Sequence, residues 1–348
     1  MVRLTLSLLL GASLLRVSPA QEEPNLPPEP WLLPPPASEE IVETADHALA
    51  VVTSQGAFSV AYLRGNDEIP LRPGEFEALR SALAADEVFR EAARLAGRSA
   101  PVMIGTDSHE DLARRMDAGE FDLVVAPALI FARHASRYSV LGQVRTPDVS
   151  GSSDRGGGLT QTSVIFVNAA SPLFALENAR AELMDDATLT RATTALTTRP
   201  LAVVSAASAV GYVFPLLKLR QVFGIAAEPP LLWCGTAEEA VIAVLNNLAP
   251  AGACDEATYL RVVSAHADGI NPSTLIRVLQ TTEPIPVAAV ALRRDLIPGP
   301  LREALFSSIN RFFERQGDVP RQLIPATDRP YQRLREQTDE FYRLRGER

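Results

Sequence analysis

A run of small residues offers the best candidate for ligand chemistry in this chain of 348 residues. The run SAASAVGY spans residues 205–212 and follows a predicted strand that ends at Val204. Where a strand turns into a helix, open backbone N–H groups and the helix dipole attract anions, and small side chains let a ligand reach the backbone. The run therefore predicts an anion site at Ser208, Ala209 and Val210. The alternative is an ordinary connection in which Ser208 caps the helix, and the pattern taken by itself favours this alternative.

Polar side chains also follow two other predicted strands. Asp255 comes directly after the apolar run 251–254, and Thr53 and Ser54 follow the apolar run 49–52. Because α/β sheets bind ligands at the carboxyl ends of their strands, we expect all three residues to face one site. There Asp255 would accept from a protonated oxyanion or pair with an amine, while Thr53 and Ser54 would close the site from the opposite side. Asp255 has a simpler interpretation as the N-cap of the helix that follows it, which the pattern slightly favours.

The sequence contains none of the short motifs that mark common enzymes. It has no G-x-S-x-G, no P-loop, no H-E-x-x-H and no G-x-G-x-x-G after a predicted strand. Its four histidines lack the spacing of metal ligands, and no close pair of carboxylates suggests general acid–base chemistry. We therefore expect no enzymatic activity, no metal and no cofactor.

The composition is that of a globular protein, with 47% hydrophobic and 22% charged residues. The formal net charge is −9, and the basic residues form no block. Proteins that bind nucleic acids usually carry a basic patch or stripe. We therefore expect no nucleic-acid partner.

The first 20 residues have the layout of a secretory signal peptide. Arg3 lies in a short positive segment, residues 4–15 are apolar, and Ser18 and Ala20 are the small residues that a signal peptidase requires. Twelve apolar residues are too few for a spanning helix, which needs about 20. We predict export with cleavage after Ala20. A Pro-rich linker at 21–45 would then lead into the folded body.

The remaining chain alternates between apolar strand patterns and helical patterns, which predicts an α/β protein. A Gly-rich break at 146–161 and a Pro-containing break at 283–286 interrupt the alternation. The segment after the second break is too short for a domain, so we expect it to return to the first unit. This predicts one lobe formed by 46–155 plus 283–348 and a second lobe formed by 156–282. Each lobe would be a mainly parallel sheet flanked by helices, with two crossover hinges and a cleft between the lobes.

Four segments resemble a known family in the same order. They are DAGEFDLVVAP at 117–127, RPLAVVSAASAVGYVFP at 199–215, AEEAVIAVLNNLAPAGACD at 237–255 and IPVAAVALRRDL at 285–296. They are similar to the periplasmic phosphate, phosphite and phosphonate-binding proteins of ABC importers, which have the transferrin-like, type II solute-binding fold. The resemblance covers roughly residues 100–310.

The resemblance implies a monomeric periplasmic receptor that closes on a small phosphate- or phosphonate-like anion and delivers it to an inner-membrane ABC permease. A ligand sensor for a membrane signalling partner and an enzyme on the same scaffold are the alternatives. Asp255 matches a carboxylate of the family. The family's Ser-Ser-Thr-Ser turn is here Ala207, Ser208, Ala209 and Val210, so one hydroxyl remains. Because a buried charge that lacks donors is costly, this departure predicts a less charged ligand.

The two cysteines are expected to be buried free thiols. In the expected topology of the second lobe, the strand at 201–204 lies between the strands of Cys234 and Cys254. Two strand spacings of about 4.8 Å each exceed the roughly 7 Å that a disulfide spans between Cα atoms.

Overall fold

The computed structural model describes residues 56–64, 68–69, 71–145, 158–169, 171, 173, 185–225, 227–266, 271–297, 299–316 and 321–346. The predicted signal peptide, the whole predicted linker and most of the Gly-rich break lie outside the described residues. So do Thr53, Ser54 and the strand that was predicted at 49–52.

Regular elements account for most of the described residues. The strands are β1 (Phe58–Leu63), β2 (Pro101–Thr106), β3 (Leu123–Ala126), β4 (Tyr138–Arg145), β5 (Thr160–Gln161), β6 (Ser163–Asn168), β7 (Leu201–Val203), β8 (Leu231–Trp233), β9 (Ala251–Asp255), β10 (Ile276–Thr281), β11 (Ile285–Pro286), β12 (Ala289–Arg293) and β13 (Gln322–Pro325). The α-helices are α1 (Pro73–Ala85), α2 (Glu87–Leu95), α3 (His109–Ala118), α4 (Ala128–His134), α5 (Asp186–Thr198), α6 (Phe214–Phe223), α7 (Ala237–Leu245), α8 (Glu256–His266), α9 (Pro300–Gln316) and α10 (Arg329–Leu344). A π-helix at Ala209–Val213 leads directly into α6. Within the part of the chain that the structure describes, every helix is too short or too polar to cross a bilayer.

The first sheet holds six strands in the order β13-β4-β12-β3-β1-β2. β1 lies parallel to both β2 and β3, because helices connect these three strands as crossovers. β12 runs antiparallel between β3 and β4, and β13 runs antiparallel beside β4. Since β12 and β13 follow the second sheet in the sequence, the chain returns to the first sheet after residue 281.

The second sheet holds five strands in the order β10-β6-β9-β7-β8. β7 is parallel to β8 and β9, while β6 lies antiparallel between β9 and β10. Cys254 is on β9 and Cys234 follows β8, so β7 separates them and both are free thiols. Cys254 is buried as expected, whereas Cys234 is only half-buried. Burial raises the pKa of Cys234 to about 11, so this thiol is protonated at neutral pH.

Two connections join the sheets, and they pair with each other. β5 and β11 form a two-stranded antiparallel ribbon in which Gln161 lies opposite Ile285. A buried amide holds both connections: Gln143 Nε2 donates to the Leu159 carbonyl at 3.3 Å and to the Tyr331 hydroxyl at 2.9 Å. Tyr331 in turn donates to the Val287 carbonyl at 2.8 Å. This chain of hydrogen bonds ties the ribbon to the first sheet and to α10.

The structure is the two-lobed α/β fold that the sequence predicted, with each sheet flanked by helices. Each sheet is mixed, however, and not mainly parallel as expected. Of the nine strand pairings in the two sheets, four are parallel and five antiparallel. Each antiparallel pair includes β4, β6, β10 or β12, the strands that border a connection between the lobes. The chain enters or leaves a sheet there without a crossover helix, so nothing requires the bordering strand to lie parallel to its neighbour.

The C-terminal helix α10 contacts both lobes. Near its start, Tyr331 packs edge-on against Phe131 of α4, with ring centroids 4.9 Å apart. Near its end, Phe341 packs edge-on against Tyr212 of the π-helix, with centroids 5.7 Å apart. The helix therefore supports the segment that follows β7 in the second lobe.

Candidate functional site

A cavity of about 280 Å³ is lined by residues of both lobes. The first lobe contributes Leu63, Arg64, Glu68, Asp107 and His109. The second lobe contributes, among others, Val204, Ser205, Ser208, Val210, Asp255 and Thr258. Gln161 reaches the cavity from the ribbon between the lobes. Most of these residues lie at or just beyond the carboxyl ends of β1, β2, β7 and β9, where α/β proteins bind ligands.

The turn after β7 is organised around the hydroxyl of Ser208. Ser208 Oγ accepts from the Gly211 N–H at 2.9 Å, which makes Ser208 the cap of the π-helix. The Ser208 N–H itself donates to the Ser205 carbonyl at 3.0 Å. A Cβ on Gly211 would lie 2.2 Å from Val204 Cγ2, so only glycine lets the helix start so close to the strand. Ser208 therefore caps a helix, as the simpler interpretation predicts, and it also lines the cavity.

The Ser208 hydroxyl also connects the two sides of the cavity. Ser208 Oγ donates to Glu68 Oε1 at 2.5 Å, although the two residues are 140 positions apart in the chain. Ser208 is 3% exposed, so this contact is shielded from solvent and short. A carboxylate that accepts from a hydroxyl forms a charge-assisted hydrogen bond. An anionic ligand that uses the Ser208 hydroxyl would have to compete with Glu68.

Asp255 caps one helix and faces the cavity at the same time. Its Oδ1 accepts from the Thr258 N–H at 2.7 Å, as an N-cap of α8 would. Asp255 is also half-buried at the cavity wall. The predicted cap is thus present, and the carboxylate remains placed where a ligand's N–H or O–H donor could meet it.

The structure brings together three of the six residues that the sequence singled out. Ser208, Val210 and Asp255 line the cavity. Ala209 is fully buried among the core side chains and is not part of the lining. The backbone of Val210 is fixed by Ser163, whose Oγ donates to the Val210 carbonyl at 2.5 Å.

The charged side chains among the described lining residues carry a net negative charge. Arg64 and Asp107 form an ion pair at 2.9 Å, which raises the pKa of Arg64. Glu68 and Asp255 add two carboxylates. Burial lowers the pKa of His109 below its ordinary value, so this imidazole is neutral at pH 7. No three residues among His, Cys, Asp and Glu cluster as a metal site would require within the described ranges.

Sequence reasoning missed the first-lobe side of the cavity. Arg64 follows β1 (Phe58–Leu63), a strand that the sequence analysis did not predict. Asp107 and His109 come just after β2, so the rule applied to Asp255 would have found them. Gln161 had no local signal, because its position depends on how the two connections pair.

Residues 97–316 match a family model described as ABC transporter, phosphonate, periplasmic substrate-binding protein. The match spans more than half of the chain. The chain belongs to this family of phosphonate-binding proteins. The resemblance inferred from the four sequence segments is therefore confirmed. The members of this family are binding components that deliver a small anion to an ABC permease from the periplasm.

Solved structures of phosphonate-binding and related proteins share the fold. A structure of XAC2383 from Xanthomonas citri bound to chloride ion is 17% identical, with a TM-score of 0.55, and covers 83% of this chain and 99% of that chain. A structure of PhnD1 from Prochlorococcus marinus (MIT 9301) in complex with methylphosphonate is 14% identical, with a TM-score of 0.52, and covers 84% of this chain and 99% of that chain. Identities this low show a common fold and leave the ligand of this chain open. Among curated proteins, none matches the chain.

Proposed function

We propose that this phosphonate-binding family member holds a small oxyanion in the cavity between its lobes. The observation that carries the proposal is the convergence of strand ends from both lobes, with the capped helix start at Ser208, on one cavity of about 280 Å³. Such a volume suits a ligand of a few heavy atoms, since cavities for drug-sized molecules begin at about 300 Å³. The proposed contacts are Ser208, Val210 and Asp255, with Thr53 and Ser54 closing the site.

The charge of the cavity selects among oxyanions. Glu68 and Asp255 would repel a dianion, whereas a ligand that carries a proton or an ammonium group could donate to them. The turn at 207–210 also has fewer hydroxyl donors than the family's Ser-Ser-Thr-Ser turn, which likewise favours a ligand of lower charge. A monoanion or a zwitterion of the phosphonate or phosphate type is therefore the proposed ligand class.

Closure of the lobes would trap the ligand. The proposed lobes are 46–155 plus 283–348 and 156–282, in agreement with the strands that each sheet contains. The ribbon of β5 and β11 is the proposed hinge, because these two short segments connect the lobes. Binding energy would shift the equilibrium towards the closed form without covalent chemistry.

The protein is also proposed to be exported and to be monomeric. The signal peptide at 1–20 would direct export, and the mature protein would begin at Gln21 and act as a monomer. Its partners would be a small anion and the permease, and not a nucleic acid.

A negative charge introduced at the cavity wall tests the site. The parent is first titrated calorimetrically with phosphate, phosphite, methylphosphonate, 2-aminoethylphosphonate, methanesulfonate and acetate. Ser205, half-buried in the lining, is then changed to Asp, with Ser205→Asn as the uncharged control of equal size. We expect Ser205→Asp to bind oxyanions at least about 10-fold more weakly, because a carboxylate in a cavity this small repels an anion. Equal affinities of parent, Asp and Asn variants would place the ligand elsewhere, and a parent that binds no oxyanion would contradict the proposed function.

A further inference from the structure

Among the described residues that line the cavity, Gln161 is the only one on the ribbon between the lobes. It lies on β5, in the ribbon that connects the lobes, and its backbone pairs with Ile285 of β11. Gln161 is one of the residues that line the cavity. When two lobes rotate about a hinge, residues at the hinge move least relative to either lobe. Gln161 can therefore face the ligand in open and closed forms alike.

The amide nitrogen of Gln161 is buried and has no hydrogen-bond partner in the described structure. Native proteins leave very few buried donors unpaired, and each such donor calls for an explanation. An unpaired amide donor on a residue that lines a cavity is explained if its partner is an acceptor on a bound molecule. The two N–H groups of a carboxamide suit the oxygen atoms of an oxyanion.

A second glutamine in the same region has an amide whose hydrogen bonds stabilise the fold. Gln143 is 5% exposed and its Nε2 reaches both the Leu159 carbonyl and the Tyr331 hydroxyl. Those bonds already fix the ribbon to the first lobe. Holding the connection therefore does not require the amide of Gln161.

We infer that the Gln161 carboxamide is a ligand-binding group that donates to an oxyanion oxygen from the hinge and helps to set the specificity of the cavity. This inference rests on the proposed function, because it needs a ligand with an acceptor oxygen in the cavity. It adds a contact that the sequence pattern did not predict. It also connects ligand binding directly to the segment about which the lobes would move.

Glutamine-to-methionine variants test the inference, because methionine keeps the length of the side chain and removes the amide. Three variants are compared with the parent: Gln161→Met, Gln143→Met and Gln332→Met. Gln332 is exposed on α10 and controls for the substitution itself. For each protein, the melting temperature is measured without ligand, and the affinities for methylphosphonate and phosphate are measured by calorimetry.

We expect Gln161→Met to melt at or above the temperature of Gln332→Met, since it removes an unpaired buried donor. We expect its affinity for the bound probe to fall about 10- to 100-fold, the loss of a hydrogen bond to a charged group. Gln143→Met should melt at a clearly lower temperature, because it leaves the Leu159 carbonyl and the Tyr331 hydroxyl without the donor that Gln143 provides.

Two results would overturn the inference. A lower melting temperature of Gln161→Met than of Gln332→Met would mean that the amide stabilises the protein itself. An unchanged affinity of Gln161→Met would mean that the amide does not contact the ligand. If the parent binds neither probe nor any other oxyanion, the proposed function fails. The inference then fails with it, whereas a parent that binds beside a Gln161→Met variant of unchanged affinity overturns the inference alone.

Discussion

Ser208 shows how one hydroxyl can serve the fold and the site together. It accepts from the Gly211 N–H and donates to Glu68, so both sides of the cavity depend on its position. The hydroxyl can keep both bonds only while the helix begins close to the strand. That closeness depends on Gly211, whose missing side chain leaves room for Val204.

Gly211→Ala should therefore disturb the cavity while leaving the rest of the lobe intact. The added methyl would lie 2.2 Å from Val204 Cγ2 and 2.9 Å from Ser208 Oγ. We expect a loss of about 1–3 kcal/mol in the free energy of unfolding, the usual result of overpacking, measured by urea denaturation. Gly74→Ala is the control, because nothing lies within 4 Å of a Cβ at that position. If Gly211→Ala changed the free energy of unfolding no more than Gly74→Ala does, the turn would accommodate a methyl group without overpacking.

His109 should make the protein sensitive to mild acid. Burial lowers its pKa in the folded state, so below pH about 6.5 the unfolded chain takes up a proton more readily than the folded protein. The free energy of unfolding should therefore fall as the pH drops from about 6.5 through the lowered pKa. Urea denaturation at pH 7 and pH 5 should show a smaller decrease for His109→Gln than for the parent. His266→Gln, at an exposed position, is the control. Equal decreases in all three proteins would assign the acid sensitivity to other groups.

At the scale of elements, a buried carboxylate joins three strands of the first sheet. Asp122, just before β3, accepts from the Ser59 N–H of β1 at 3.0 Å. It also pairs with Arg98 at 2.9 Å and with Arg293 of β12 at 3.2 Å. Its side chain is 2% exposed, whereas the two arginines reach solvent in part. The carboxylate thus holds the returning strand β12 against strands from the start of the chain.

Asp122→Asn should destabilise the first lobe strongly. The change leaves two guanidinium groups without their buried counter-charge, which costs about 3–5 kcal/mol in fully buried pairs. We expect about 3 kcal/mol, the lower end, because both arginines are partly solvated. Asp295→Asn removes an exposed partner of Arg293 and should cost at most about 1 kcal/mol. Denaturation curves of similar midpoint for the two variants would contradict a structural role for the buried pairings.

At the scale of the whole molecule, α10 connects the lobes independently of the hinge. It follows β13 of the first sheet, yet its end contacts the second lobe through Phe341 and Tyr212. Just beyond the helix, Arg345 pairs with Glu228 at 3.1 Å and contacts the Tyr212 hydroxyl. Tyr212 belongs to the π-helix that Ser208 caps. The C-terminal helix therefore packs against the π-helix whose start lines the cavity.

Phe341→Ala should weaken both stability and ligand binding. Phe341 is fully buried, so its truncation should cost about 3–5 kcal/mol in the free energy of unfolding. Phe313→Ala, a buried residue of α9 in the first lobe, should cost a similar amount. Calorimetry well below both melting temperatures should then show weaker oxyanion binding for Phe341→Ala only. Equal affinities for the two variants would mean that α10 does not influence the cavity.

The sequence by itself determined the α/β class, the two-lobed arrangement and the turn at Ser208. These features depend on local patterns: apolar runs form strands, and a capping serine after a strand starts a helix. The separation of Cys234 and Cys254 by β7 also followed from the order of the strands. The family followed from four segments in their order along the chain.

Only the tertiary structure decided what faces the cavity from the first lobe and the hinge. Glu68 meets Ser208 across 140 residues, and Gln161 reaches the cavity because β5 pairs with β11. The direction of β12 between β3 and β4 was likewise set by the return of the chain and not by its own pattern. Ala209 shows the reverse case, since it adjoins Ser208 in sequence but points into the core. Local patterns fix where an element begins and ends, whereas contacts between distant segments depend on how whole lobes pack, which no short run of residues encodes.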